Sequence, residues 1–378
     1  MAAAGPSPAE WLTLIRNRMS AAFAELPNYT CRETIQRQFR TVKARNYATT
    51  GLFRLEVAYL GGRETFAWPG SSRFGEESMA DLIPSGFTFS GTFGPFAHEV
   101  LSSPAVIFSY RGESSVDGRR EVEFQFRMPR ETSGFVLRRD ERSAVLAYHG
   151  FILADPGTGD LIALEVEPDE IPPELQMREV QQTTEYARSR FADAEYLLPT
   201  FSQVTILDAD GDAYRNNVTF ENCREYKGES TVSFTDATDL PAATPPPDQH
   251  PIGLPAGLRL VVKTTVPIRR GVTAIGDTVP AVLTEAVRGQ MDLPKGAIAT
   301  LRITRMTSES VGRFRNQIVQ FQLLSVETAG KRYEADGDLV DVGSTRYYAT
   351  VEGGVVFRKN DLAIGPGLIL TWRTKEAR

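Results

Sequence analysis

The chain has 378 residues, 41% hydrophobic and 24% charged, which is the balance of an ordinary globular protein and enough length for two domains with a core in each. No apolar run approaches the roughly 18 residues that a membrane-crossing helix requires, so no transmembrane segment is expected. The net charge of -6 hides an asymmetry: residues 250–378 carry 18 basic and 12 acidic side chains, while the first 249 carry 24 and 36. The basic residues are scattered or paired, as at Arg269-Arg270 and Lys331-Arg332. A phosphate-tracking stripe needs closer clustering, so nucleic acid is not expected as a partner.

Ser7-Pro8-Ala9-Glu10 opens a helix, with Ser7 as N-cap, Pro8 at the first helical position and Glu10 closing a capping box. Trp11, Ile15, Met19, Ala22, Phe23 and Leu26 then recur at helical spacing up to the stop at Pro27. From Tyr29 the period changes to two. Phe53 to Tyr59 alternates, and Gly61-Gly62 supplies a tight hairpin turn that sets Leu55 opposite Trp68 and Val57 opposite Phe66. Further strands are expected at 106–110, 122–128, 134–137, 144–148, 151–154, 161–166, 180–188, 201–207 and 213–220, with a turn at Asp155-Pro156-Gly157-Thr158-Gly159-Asp160.

The two cysteines, Cys31 and Cys223, lie in the first and last strands of this series. If those strands are neighbours, a disulfide clips the ends of the domain together and implies an oxidising compartment. Two unrelated buried thiols in a cytosolic protein are the alternative. Met1 to Ser7 shows no charged-then-apolar signal segment, so an exported protein has lost its signal peptide from this chain.

Ser71 to Ile83 reads as a short helix. After it, Gly86 to Phe96 places Phe87, Phe89, Phe93 and Phe96 among Gly, Ser and Thr. Such a segment suits a lid over an apolar cavity or a loop filling a satellite core. Residues 236–256 hold six prolines and mark a stiff linker. The expected division is 1–235, linker 236–256, and 257–378. In the last part, short strands at 258–264, 278–283, 297–305, 317–327, 331–338 and 367–372 suggest a small barrel or sandwich.

Chemical signatures are sparse. Asp208-Ala209-Asp210-Gly211-Asp212 begins like a calcium loop, but loop positions six and twelve hold Ala213 and Thr219, so a hairpin turn is expected. His98, His149 and His250 lack metal-ligand spacing, and no nucleophile elbow, P-loop or dinucleotide fingerprint is present. Glu165, Glu167, Asp169, Glu170 and Glu174 alternate with prolines as a solvated loop would. The reading is of a protein that is not an enzyme and carries no cofactor or metal.

The helix, the long meander, the turn at Asp155 to Asp160 with Leu161 to Leu164, Tyr196-Leu197-Leu198-Pro199, and the terminal Val218-Thr219-Phe220 with Arg224-Glu225-Tyr226 resemble the outer-membrane lipoprotein-sorting (LolA/LolB-like) carriers over about residues 8–235. The resemblance implies a half-open β-barrel closed by helices, with an apolar cavity for acyl chains. No Arg matches a carrier's ligand hook. Residues Gly276-Asp277-Thr278-Val279-Pro280-Ala281 and Leu293-Pro294-Lys295-Gly296-Ala297 are weakly similar to the β-barrel of TrbI-like envelope secretion components, which implies envelope assembly.

The expected protein is therefore mainly β, with an N-terminal helix on a curved antiparallel half-barrel sheet followed by a small all-β domain. It is expected to be periplasmic or otherwise extracytoplasmic. The first domain would bind a lipid or acyl chain against Phe66, Trp68, Phe87, Phe89, Phe93 and Phe96, and the second would dock an envelope protein partner. The rival expectation is a structural or interaction protein with no ligand cavity.

Overall fold

The computed structural model describes residues 5–61, 63–71, 74, 79–83, 95–116, 118–139, 141–191, 193–226, 252–289, 291–311, 314–343, 347–349, 353–358 and 362–376. Phe87, Phe89, Phe93 and most of the proline-rich linker lie outside them. The chain divides into two compact units, Met1–Thr50 with Arg54–Lys227 and Gly51–Phe53 with Gly228–Arg378.

The first unit opens with helix α1 (Pro8–Glu25), capped by the reciprocal Ser7–Glu10 box. Its elements continue as β1 (Tyr29–Arg40), β2 (Ala48–Leu60), β3 (Arg63–Ala67), α2 (Met79–Leu82), α3 (Pro95–Ser102), β4 (Ile107–Val116), β5 (Arg119–Met128), β6 (Val136–Arg139), β7 (Arg142–Val145), β8 (Tyr148–Ala154), β9 (Leu161–Pro168), β10 (Met177–Phe191), β11 (Ala194–Asp208) and β12 (Ala213–Glu225). Ten of these strands form one curved half-barrel sheet in the order β3-β2-β1-β12-β11-β10-β9-β8-β5-β4. The meander brings the first and last strands together, because β12 returns to pair antiparallel with β1. In the β2–β3 hairpin Val57 faces Phe66, the register expected from the sequence, and Trp68 lies just beyond the last paired residue, Ala67.

Helix α1 buries Trp11, Ile15 and Met19, and they join Ala97, Val100 and Leu101 of α3 over one face of the sheet. That face presents Phe124, Phe126, Tyr148, Ile152, Leu164, Val166, Val180 and Ile206. Each fully buried large apolar side chain contributes about 2 kcal/mol before entropy is counted. The helix is fixed at one point by charge. Asp160, at the end of the predicted turn and nearly buried, accepts from Arg18 Nε of α1 at 2.9 Å and from Nε and Nη2 of Arg188 on β10, both at 2.9 Å. The turn can come this close only because Gly159 has φ +74°, and a Cβ there would stand 3.0 Å from Leu14 Cγ and Leu14 O.

Cys31 and Cys223 are bonded. The β1–β12 register slips between Thr30 and Arg32, so Asn222 and Cys223 together face Cys31, with Asn222 at φ 54°. This bulge sets the sulfur pair across the seam of the meander.

Two expected strands are each divided in the structure. Residues 144–148 separate at Leu146, whose N–H donates to Phe135 O, so that β7 closes a small hairpin with β6 while β8 joins the main sheet. In the second unit, 331–338 separates at Ala335 for the same kind of reason: each half takes a different partner strand. Of the acidic stretch read as a loop, Glu165 lies in the expected strand and Glu167 in its extension: both belong to β9, paired with Phe151 and His149. The Asp208 to Asp212 segment is a hairpin turn, in which Asp208 Oδ1 accepts from the Asp210 and Asp212 N–H groups.

The second unit is all β: β13 (Ile252–Gly253), β14 (Arg259–Thr264), β15 (Ile268–Arg269), β16 (Thr278–Leu283), β17 (Ile298–Val311), β18 (Phe314–Thr328), β19 (Lys331–Glu334), β20 (Asp336–Val342), β21 (Tyr347–Ala349), β22 (Gly354–Arg358), β23 (Ala363–Ile364) and β24 (Ile369–Lys375). Its main sheet runs β13-β19-β18-β17-β16-β14-β24-β20, with β21 and β22 joined to β18. Leu260, Val262, Leu301, Leu370 and Trp372 are among its buried core residues.

Two outcomes are expected from these contacts. Asp160→Ala, which strands two arginines that are each about a third exposed, should lower the urea unfolding free energy of the first unit by about 2–3 kcal/mol. A Cys31→Ser/Cys223→Ser pair should cost about 2–5 kcal/mol, since the closed loop spans a separation of 192 residues. A change below about 0.5 kcal/mol in either case would show that the contact does not hold the fold.

Candidate functional site

Strand alternation places Tyr29, Cys31, Glu33, Ile35, Arg37 and Phe39 of β1 on one face. That face is the helix-bearing one: Phe39 packs on Tyr214 at 5.1 Å between ring centroids, and Tyr214 packs on the core beneath α1. By register, Phe220 and Val218 of β12, Ser202 and Val204 of β11, and Thr184 and Gln182 of β10 share it. In the β2–β3 hairpin it carries Tyr59, Val57, Phe66 and Glu64.

The face has two different halves. Over β5 to β11 it is solid, filled by the side chains of α1 and α3. Phe96 belongs to this half, with its ring 5.4 Å from Phe135 and 5.8 Å from Tyr148. Toward the β1–β3 end a row of aromatic rings begins. Tyr59 lies 5.9 Å from Tyr29, Tyr29 is stacked 6.0 Å from Phe191, and Phe191 is stacked 4.5 Å from Tyr196. At the end of this row a half-open cleft of about 390 Å³ is lined by Phe23, Ala24, Leu26, Pro27, Tyr59 and His98, with Ser20, Asn28, Gly61 and Ser102. Asn28 Oδ1 accepts from the Gly61 N–H at 3.1 Å, tying the end of α1 to the hairpin tip. His98 and Phe23 are in ring contact at 5.1 Å.

Two buried glutamates on neighbouring strands differ sharply. Glu56, on the opposite face, receives Thr30 Oγ1 at 3.2 Å and lies near Arg224 and Arg32. Glu33 is fully buried, and neither of its carboxyl oxygens has a hydrogen-bond partner. Burial first, and the charge of Glu64 second, push its pKa well above the ordinary carboxylate range. The same two causes raise Tyr29, Tyr59 and Tyr186. Arg37, further along the face, is lowered to about 10 by burial. Gln182, Thr184 and Ser202 are buried too, but they satisfy one another: Gln182 Nε2 donates to Thr184 Oγ1, and the Thr184 and Ser202 hydroxyls lie 3.1 Å apart.

Of the residues singled out in the sequence, Phe66 is buried in the hairpin on the aromatic half and Trp68 is half-buried beyond it. The structure therefore does not gather the described three, since Phe96 lies in the solid half. Phe23, Tyr59 and Glu33 were not singled out as site residues. Glu33 had a signal, a charged residue at an apolar position of an alternating strand; Phe23 was read as part of the helix stripe.

The other face bears a second depression of about 400 Å³, with Ile107, Ser109, Gln125, Arg127, His149 and Asp169. His149 Nδ1 lies 2.7 Å from Asp169 Oδ1, and Arg127 Nη2 2.8 Å from Asp169 Oδ2. The register puts Ser109 two strands away from His149, roughly 12 Å. That is too far for a nucleophile and its base. Among the described residues no group of three His, Cys, Asp or Glu is placed to hold a metal ion, and no helix is long and apolar enough to cross a membrane.

No known family profile matches the sequence, and no curated protein matches it. Among solved structures, the chain is similar to one described as "putative outer membrane lipoprotein-sorting protein domain from Vibrio parahaemolyticus", at 11% identity over 59% of this chain and 94% of that one, with a TM-score of 0.30. A likeness this loose carries no weight for function. Nothing in the comparisons supports the TrbI-like resemblance of the second unit.

The state of Glu33 has a measurable consequence. Its folded pKa lies above the unfolded value of about 4.5, so the folded chain holds this proton more tightly. Stability is undiminished below the unfolded value and is lost as pH rises toward the folded one, by about 1.4 kcal/mol per unit while only the unfolded state ionises. The stability of the wild type relative to Glu33→Gln should therefore fall as pH rises above about 4.5 in urea titrations; parallel pH profiles would contradict the assignment.

Proposed function

We propose that this is a non-enzymatic, extracytoplasmic cell-envelope protein whose first unit binds an apolar ligand, a lipid or acylated segment, at the aromatic end of the half-barrel. The observation that carries the reading is the half-open cleft between α1 and the β2–β3 hairpin, because its wall includes Tyr59, which is in ring contact with Tyr29 and through it with Phe191. Its volume falls in the range of small-molecule sites, and its wall mixes apolar and polar groups in about equal measure. Phe23, Leu26, Pro27 and Tyr59 would contact the ligand body. The disulfide supports an oxidising compartment. The second unit, with its separate fold and opposite charge balance, would dock an envelope partner.

The rival reading, a structural or interaction protein, draws on the solid half of the same face, where α1 and α3 leave the interior closed. Native mass spectrometry with organic extraction separates the two. Co-purifying lipid is expected, together with binding of a fluorescent fatty-acid probe that weakens about tenfold in Phe23→Ala, the equivalent of about 1.4 kcal/mol for partial loss of an aromatic contact. Ligand-free protein that also fails to bind any acyl probe would support the rival.

A further inference from the structure

On the face of the sheet away from α1, at the end of β1 remote from the cleft, two arginines share one tyrosine. The Arg215 guanidinium carbon lies 3.9 Å from the centre of the Tyr47 ring and that of Arg40 5.2 Å, so the two forks are no more than about 9 Å apart. All three side chains are half-buried. The β1–β12 register explains the convergence: Arg40 pairs with Ala213 and Gln38 with Arg215, which makes the arginines diagonal neighbours on one face. Like charges this close repel. Elsewhere in the unit arginines are matched to acids, Arg18 and Arg188 to Asp160, Arg120 to Glu113 and Arg127 to Asp169. Among the described residues neither Arg40 nor Arg215 has a carboxylate within ion-pairing distance, and the Nε atom of each is buried with no acceptor. The neighbours do not make up the loss. Asp212, next to Ala213, turns Oδ1 to the Val42 N–H at 2.9 Å, and Asp208 Oδ1 accepts N–H groups of its own turn. On the same face Gln36, Gln38, Asn217 and Gln203 hydrogen-bond to one another. Residues 34–50 hold Arg37, Arg40, Lys43 and Arg45 and no acid, although acids outnumber bases 36 to 24 in the first 249 residues.

Positive charge held in place without a counter-charge is what recognition of an anion requires. We propose that Arg40 and Arg215, held by Tyr47, form a binding site for a phosphate-type oxyanion. A guanidinium meets an oxyanion through two N–H groups at about 2.8 Å, which puts the central atom roughly 4 Å from the fork. One anion can therefore span the pair. A tetrahedral group presents a separate edge of oxygens to each fork, whereas a carboxylate has a single edge and engages only one. Burial of the Nε groups strengthens the attraction, because less water screens it. Tyr47 restricts both side chains beforehand, so less rotamer freedom is lost on binding. Tyr29 to Arg40 is about 36 Å of strand, which sets this site apart from the cleft, and it does not rest on the apolar-ligand reading. A soluble phosphate compound and an anionic lipid headgroup share this chemistry, and the test separates them.

The test uses the full chain at constant ionic strength. Inorganic phosphate and acetate are titrated by isothermal calorimetry, and flotation is measured with vesicles of phosphatidylglycerol or of phosphatidylcholine. Phosphate is expected to bind at least tenfold more tightly than acetate. Arg40→Gln/Arg215→Gln should lower phosphate affinity at least tenfold, and Arg215→Lys, which keeps the charge and loses the fork, at least threefold. Lys43→Gln should change it less than twofold. No saturable phosphate binding, equal affinity for phosphate and acetate, or binding that survives in the double variant would overturn the site. Where phosphate binds, flotation with phosphatidylglycerol alone that is lost in the double variant assigns a lipid headgroup, and every other flotation result assigns a soluble phosphate compound. Flotation without phosphate binding is a diffuse charge effect and overturns the site as well. The wild-type comparison of phosphate with acetate decides the question even if a variant does not fold.

Discussion

The first unit depends on where its long helix α1 lies over one face of a ten-stranded sheet. An α-helix of 18 residues is ~27 Å long, whereas ten strands spaced at ~4.8 Å span ~43 Å. Helix α1 can therefore shield only part of the face, and its position decides which part. That position is fixed where Arg18 meets Asp160, a carboxylate also gripped by Arg188 of the sheet. The apolar stripe of Trp11, Ile15 and Met19 then falls over the half built from β5 to β11, and the end of α1 reaches the β2–β3 hairpin, where the cleft opens. Packing and site are consequences of one placement.

The disulfide belongs to the other half. A meander of this length must bring its last strand back to its first, and the entropy of closing so long a loop opposes that pairing. A bond between Cys31 and Cys223 removes most of that cost from the unfolded chain. Its place matters for the site as well. Cys31 lies on the same strand and face as Tyr29 and Glu33, so the covalent link holds the strand that presents the buried carboxyl and the central ring of the aromatic row. A carboxyl left without partners costs stability, and a strand so pinned can tolerate that cost.

Local signals in the sequence were legible and distant ones were not. The capping box at Ser7 and Glu10, the register of the β2–β3 hairpin and the Asp155 to Asp160 turn each act within a few residues, and each is seen in the structure. The division of 144–148 depends on which strands accept the two halves, which periodicity does not encode. The Arg18–Asp160 contact joins residues 142 positions apart and had no local mark. For the site, the aromatic content of the β2–β3 hairpin was readable, whereas Glu33 was not singled out. That its oxygens lack partners, while those of Glu56 have them, depends on side chains from strands far along the chain.

The central claim is that the aromatic end of the helix-bearing face receives an apolar chain. A diazirine-bearing fatty acid, photoactivated on the purified protein and mapped by peptide mass spectrometry, tests it most directly. Adducts concentrated on the segments carrying Phe23, Tyr29 and Tyr59 are the predicted result. Labelling confined to the second unit, or to the opposite face around His149, would contradict the claim.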